Sequence, residues 1–347
     1  MIIINGRFLT QRMTGVHRFA YEMTCALHRM GQALTVVSPE NIRNEYECPF
    51  NVVRTKGKGS HWWEQVVLPL YLRKHFPGAL LITWTGLSPI CYHPSFYTIH
   101  DVSYMENPRW FSRWYYIFYR WLTPIAAARS KKVLTVSRFS KGELQKYLHL
   151  PEEKITVVYN AVNTMSDGKE LQTEEPYLLS VCSMDPRKNL RRLVEAFAGM
   201  EDIGCKLYLA GGSHAAFRKS GIIPANESDR IRVLGYVSDT EISNLYRNAT
   251  AFVSPSVYEG FGIPNLEAMR QGCPTVVSDI PAYREVCGDA SLYFNPDDVA
   301  SIQASIRRLA NDKTLQEQLR AKGYERCRLF TWEKSAEIVM HLIDEDE

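Results

Sequence analysis

The chain has 347 residues, 45% of them hydrophobic and 23% charged, with 41 Lys and Arg against 38 Asp and Glu for a net charge of +3. These proportions are those of a globular protein, and the length suits two domains; a disordered chain, a collagen-like repeat and a coiled coil are excluded as descriptions of the whole. So small a net charge also argues against nucleic acid held by bulk charge.

The chain opens with an apolar run of three residues, Ile2, Ile3 and Ile4, far short of a signal-peptide core. The uncharged stretch from His75 to His100 is broken by Pro77, Pro89 and Pro94 and by Gly78 and Gly86, so it is not read as a spanning helix. The expected location is the cytoplasm. Eight cysteines occur without any Cys-x-x-Cys pair, which reads as free thiols in a reducing compartment. No His/Cys group has zinc spacing, so no metal site is expected.

In chain order, strand-like apolar runs fall at 2–4, 34–37, 80–83, 96–99, 133–136 and 155–158. Amphipathic stretches at 15–30, 62–75, 110–128 and 139–148 read as helices between them. The pattern then repeats, with strands at 177–182, 206–210, 231–234, 251–254, 275–278 and 291–294. Helices are expected near 189–200, 239–248, 264–271, 282–286, 297–311 and 313–328. Continuous apolar strands alternating with helices indicate parallel sheets covered on both faces, hence α/β with two doubly wound, Rossmann-like domains. A polar linker at 163–176 puts the boundary at 168/169, giving domains 1–168 and 169–330. The tail 331–347 reads as a helix with Trp332, Ala336, Val339 and Ile343 on one face and Thr331 as its N-cap. Two such domains offer a ligand one obvious place, the cleft at the carboxyl ends of both sheets.

Charge divides unevenly at residue 165. Residues 1–165 hold 20 Lys/Arg and 10 Asp/Glu, a net of +10, and residues 166–347 hold 21 and 28, a net of −7.

The richest segment is Ser254-Pro-Ser-Val-Tyr-Glu-Gly-Phe-Gly-Ile-Pro-Asn-Leu-Glu-Ala-Met269. It follows a strand and opens a helix with Pro264 in the first turn, where a missing N–H costs nothing. Gly260 and Gly262 let backbone approach a ligand closely, and the helix N-terminus suits a phosphate. Glu259 can accept from sugar hydroxyls and Glu267 from a ribose diol. Upstream, Val181-Cys-Ser-Met-Asp-Pro-Arg-Lys-Asn-Leu190 ends a strand in two adjacent cations. Arg187 by its planar fork and Lys188 as a point charge can neutralise a diphosphate, although such a turn is often merely solvated.

With Glu259 and Glu267 eight positions apart around Gly-Phe-Gly, and with Arg187-Lys188-Asn189 upstream, the chain resembles the retaining glycosyltransferases of family 4, which have the GT-B fold. The resemblance extends to Phe330-x-Trp332 in the tail, a helix that in the family crosses back to the first domain. It implies a nucleotide-sugar donor on the second domain and a glycan or lipid-linked saccharide acceptor on the first. Arg187 and Lys188 would hold the diphosphate. Gly212, Tyr236, Val237, Gly260, Phe261, Gly262, Leu266 and Glu267 would line the donor site. Tyr236 also reads as a half-buried strand-end aromatic. Gly15, in Thr14-Gly-Val16, would approach a phosphate, although family members often carry two glycines where this chain has one. His100, after a strand and followed by Asp101, would lie beside the transferred sugar. Ser137-Arg-Phe-Ser140 matches a further motif and equally reads as a plain helix cap.

The implied reaction moves a hexose or deoxyhexose with retention and without a metal cofactor, in assembly of bacterial surface polysaccharide. GDP-mannose and UDP-hexoses are both compatible donors. A non-catalytic nucleotide-sugar sensor and a GT-B epimerase are the alternatives; a dinucleotide-dependent dehydrogenase is disfavoured because no Gly-x-Gly-x-x-Gly follows the first strand. Residues 110–132 mix aromatics with Arg113, Arg120, Arg129, Lys131 and Lys132. They read either as a helix packed on the sheet or as a contact for an anionic membrane surface.

Overall fold

The computed structural model describes residues 1–163, 175–181, 183–212, 221–222 and 229–345. The boundary expected at 168/169, most of the expected linker and Cys182 fall outside them. Contacts divide the chain into one unit of Met1–Asn160 with Thr331–Glu347 and another of Ala161–Phe330.

The first unit holds a seven-stranded, wholly parallel sheet. In chain order come β1 (Ile2–Asn5), α1 (Gly15–Arg29), β2 (Leu34–Pro39) and β3 (Asn51–Thr55). A π-helical turn, Trp63–Val67, then runs into α2 (Leu68–His75). After it come β4 (Leu80–Thr83), β5 (Ser95–Thr98), α3 (Ser103–Glu106), α4 (Arg113–Arg129), β6 (Lys132–Thr135), α5 (Arg138–Leu148) and β7 (Ile155–Val157). The sheet order is β3-β2-β1-β4-β5-β6-β7. Neighbouring residues in register share a face: Ile3 beside Leu81, and Tyr97 beside Val133. Both faces are apolar, so both need helices. One face buries Trp63, Leu68 and Leu72 from the second helical segment and Leu144 and Leu148 from α5.

The second unit repeats the plan. β8 (Tyr177–Val181), α6 (Leu190–Ala198), β9 (Lys206–Ala210), β10 (Ile231–Gly235), α7 (Asp239–Asn248), β11 (Ala251–Ser254) and α8 (Ile263–Arg270) come first. β12 (Thr275–Ser278), α9 (Pro281–Cys287), β13 (Ser291–Phe294), α10 (Val299–Asn311) and α11 (Lys313–Cys327) complete it. Its six parallel strands run β10-β9-β8-β11-β12-β13. The order therefore reverses direction between β8 and β11, and the carboxyl ends of those two strands are where an open α/β sheet opens a crevice.

α12 (Trp332–Asp344) belongs to the first unit. Thr331 caps it by accepting from the Lys334 N–H at 3.3 Å. Trp332, Ala336, Val339 and Ile343 are all buried. The Trp332 ring meets Phe19 of α1 edge-on at 6.0 Å, Arg29 pairs with Glu333 at 3.2 Å, and the Ser335 hydroxyl donates to the Tyr159 carbonyl at 2.7 Å. This return changes the charge picture. Grouped by structural unit, the first carries 21 cations against 16 anions and the second 20 against 22, so +10 and −7 shrink to +5 and −2. The acidic tail offsets half the excess of the basic domain.

Candidate functional site

The loops after β8 and β11 meet at the reversal point. After β8, Asp185 accepts from the Arg187 N–H at 3.1 Å and from its Nε at 3.0 Å, closing a short 3-10 turn over Pro186–Lys188. Asn189 then sits in the left-handed region at φ 55°, which Asn tolerates better than most residues, and turns the chain into α6. Its amide donates to the Pro296 carbonyl at 2.8 Å. The Val257 N–H donates to the Arg187 carbonyl at 2.8 Å, tying the two loops together.

Both cations then converge on Glu259. Lys188 Nζ lies 2.5 Å from Oε1, Arg187 Nη1 lies 3.4 Å from Oε2, and the Ser256 hydroxyl donates to Oε1 at 2.9 Å. The Glu259 side chain is 10% exposed and that of Lys188 17%. Burial alone raises a carboxyl's pKa; here the charges of Lys188 and Arg187 and the hydrogen bonds from Lys188 and Ser256 outweigh it, and the net shift is downward from the ordinary 4.5. Glu259 is therefore an anion at neutral pH, held at the focus of two cations. An arrangement of this kind can exchange its internal carboxylate for an external phosphate, or share its cations between the two.

The following loop is built for close approach. Gly262 has φ 98°, and a Cβ there would lie 2.5 Å from Tyr283 Cε1 and 2.8 Å from Asn265 Nδ2. Tyr283 is itself fixed by the Ser254 hydroxyl at 2.7 Å. The first turn of α8 offers a phosphate fewer donors than the sequence suggests: Pro264 has no N–H, and the Asn265 N–H is turned back to the Gly262 carbonyl at 3.0 Å. Glu267 accepts from the Tyr246 hydroxyl of α7 at 3.1 Å. Gly260 is buried, and Phe261 is buried with its ring edge-on to Phe330 at 5.6 Å. Leu266, on α8, is fully buried, its side chain in the core of the second unit.

Gly212 follows β9 with φ 68°, and the Gly211 N–H donates to the Gly235 carbonyl at 2.7 Å. The two glycine turns are thus joined where β9 and β10 end. Tyr236 is 63% exposed and so is not a half-buried aromatic, whereas Val237 is partly buried against the cluster that contains Leu245 and Tyr246.

In the first unit, His100 follows β5, half-buried. Its Nε2–H donates to the Trp84 carbonyl at 3.0 Å, leaving Nδ1 as the acceptor nitrogen. Phe19 meets the ring edge-on at 5.0 Å. Burial lowers its pKa from 6.5, more than the Trp84 carbonyl and Asp101 raise it, so the ring is neutral at pH 7. Gly15 opens α1. Thr14, three residues before His17, places its hydroxyl 2.7 Å from His17 Nδ1. His17 is lowered to about 4 by burial and by the nearby positive forms of His100 and Arg7. Ser137 is a helix cap, accepting from the Ser140 N–H at 2.9 Å, and the Ser140 hydroxyl donates to the His100 carbonyl at 3.1 Å. The cap therefore also positions the backbone that carries His100.

A polar network at the ends of β1 and β4 had no motif to announce it. Glu64, fully buried on the π-helical turn, accepts from Asn5 Nδ2 at 2.9 Å, from Arg7 Nη1 at 2.8 Å and from the Leu87 N–H at 3.3 Å.

Two family models match in tandem: Glycosyltransferase Family 4 over residues 13–165 and Glycosyl transferases group 1 over residues 162–326. The chain is a glycosyltransferase family 4-like protein with the GT-B fold. Among curated relatives, this family 4-like chain is 35% identical over 213 residues to the O-antigen chain mannosyltransferase RfbU of Salmonella typhimurium, covering 61% of this chain and 60% of that one. It is 32% identical over 252 residues to the O-antigen chain mannosyltransferase B of Escherichia coli, covering 68% and 66%. It thus spans about 60% and 66% of the length of those two relatives. Among solved structures, the sucrose-phosphate synthase of Thermosynechococcus elongatus superposes with a TM-score of 0.80 at 19% identity over 99% of this chain and 98% of that one. WaaG, a glycosyltransferase involved in lipopolysaccharide biosynthesis, gives 0.75 at 14% over 99% of each. At such identities these likenesses speak for the fold alone.

Proposed function

We propose that the protein is a retaining mannosyltransferase of O-antigen assembly. It would move mannose from GDP-mannose to a hydroxyl of a glycan or lipid-linked saccharide. The observation that carries the reading is the convergence of half-buried Arg187 and Lys188 on buried Glu259 at the reversal point of the second sheet. The mannose and O-antigen parts come from the names of the two relatives.

In this reading Lys188 and Arg187 take the donor's diphosphate, whose negative charge grows as the bond from anomeric carbon to phosphate oxygen breaks. The diphosphate leaves with the electron pair of that bond. The acceptor oxygen bonds to the same face of the anomeric carbon, and its proton passes to a departing phosphate oxygen. Glu259, released from its cations, accepts from hydroxyls of the sugar and orients it. Glu267, steadied by Tyr246, accepts from the ribose diol. Two side-chain cations supply the charge that other transferases take from a metal, so turnover should survive EDTA unchanged; a loss restored by Mn²⁺ would contradict this.

The test is transfer from radiolabelled GDP-mannose to a mannose-terminated acceptor, with the product's anomeric configuration read by NMR. An α-linked product is expected. No transfer from any nucleoside-diphosphate sugar, with binding intact, would favour the sensor alternative.

A further inference from the structure

Among the described residues, the most exposed large apolar side chains gather on and beside α4. That helix has two apolar faces. On the inner face Tyr116, Phe118, Tyr119 and Leu122 pack against the cluster containing Tyr97, Tyr104 and Leu144. On the outer face Trp114 is 82% exposed, Ile117 37%, Trp121 69% and Ile125 43%. Their spacings of three, four and four put them in one stripe along the helix. The His61 ring lies 4.7 Å from that of Phe118, tilted by 43°, which brings the start of the second helical segment alongside, and the next residue, Trp62, is 70% exposed. The inner face already has its core, so the outer stripe adds nothing to packing in the isolated chain.

Along the sequence the charge of this stretch has one sign. Between Glu106 and Glu143 there is no acidic residue, while Arg109, Arg113, Arg120, Arg129, Lys131, Lys132, Arg138 and Lys141 all fall there. Arg113 and Arg120 are exposed on α4 itself, the latter with its guanidinium 5.7 Å above the Tyr116 ring. Indoles favour the boundary between hydrocarbon and headgroup, and arginine stems lie along apolar surface with their heads turned to phosphate. No helix of the described residues is long and apolar enough to cross a membrane, so the stripe suits lying on a surface and not spanning it.

We propose that the outer stripe of α4, with Trp62 beside it, docks on an anionic lipid bilayer, the helix axis in the plane of the headgroups. A second copy fits less well, because a twofold pairing sets the same arginines against each other. The inference rests on this surface alone and not on the donor reading, and its test reads no turnover.

The experiment is co-sedimentation of the full chain with vesicles of phosphatidylcholine, with and without phosphatidylglycerol. At least about tenfold tighter binding to the anionic vesicles is expected, since each well-placed cation contributes about fivefold, and high salt should weaken it. The pair Arg113→Gln and Arg120→Gln should remove most of that preference. The pair Trp114→Ser and Trp121→Ser should lower binding at least about tenfold, with an unchanged circular dichroism spectrum because both side chains are exposed. Equal binding to both lipids, or full binding by the tryptophan variant, would overturn the proposal. So would a dimer in light scattering that the tryptophan variant abolishes, which would make a second copy the occupant.

Discussion

Glu259 is the residue on which the account turns, and its environment makes testable demands. Removing Lys188 leaves a buried carboxylate with less compensation, so Lys188→Met should cost about 3 kcal/mol in urea unfolding. The sign with pH follows from the lowered pKa. Pairing stabilises the fold fully above the ordinary carboxylate range and is lost as pH falls through the depressed value. His17 makes a separate demand in a separate window. Its native pKa of about 4 lies below the ordinary 6.5, so between those values the unfolded chain takes up a proton that the native one refuses. Stability should fall by up to about 2 kcal/mol from pH 8 to pH 5 on this account. His17→Gln should flatten that part of the profile, as measured by urea midpoints across pH; an unchanged slope would put the titration elsewhere.

At the scale of elements, two local devices shape the second unit's site and the first unit's closure. Gly262 occupies a left-handed conformation against the Tyr283 ring, so Gly262→Ala should destabilise by about 2 kcal/mol or more and displace the loop that carries Glu259. α12 is held through Trp332, and Trp332→Ala should cost about 3–5 kcal/mol by thermal or urea melts. Much of this architecture is legible in the sequence because buried parallel strands are continuous apolar runs. β3 escapes that reading: Asn51–Thr55 lies at a sheet edge, half-exposed, with only Val52 and Val53 to mark it. The site divides in the same way. Glu259, Glu267, Arg187 and Lys188 stand in local motifs. Ser256 and Asp185 lie inside those motifs but gain meaning only from the hydrogen bonds that orient the charged groups. Tyr246, Tyr283 and Glu64 come from elsewhere in the chain, where packing alone brings them to their partners.

For the whole molecule, the net charge of +3 resolves into +5 and −2 once the tail is counted with the unit it packs on. The proposed donor site lies on the unit of negative sign, so binding of a polyanionic donor must depend on Arg187 and Lys188 locally. The ligand-free pairing of both cations with Glu259 then gives two substitutions opposite effects on binding of a nucleoside diphosphate. Calorimetric titration of GDP into the wild type, Lys188→Met and Glu259→Gln measures this most directly. The account predicts affinity at least about a hundredfold weaker in Lys188→Met, about 3 kcal/mol for a buried charge-assisted contact. It predicts affinity equal to or tighter than wild type in Glu259→Gln, whose cations no longer face an internal anion, even as transfer is lost. Unchanged GDP affinity in Lys188→Met would contradict it.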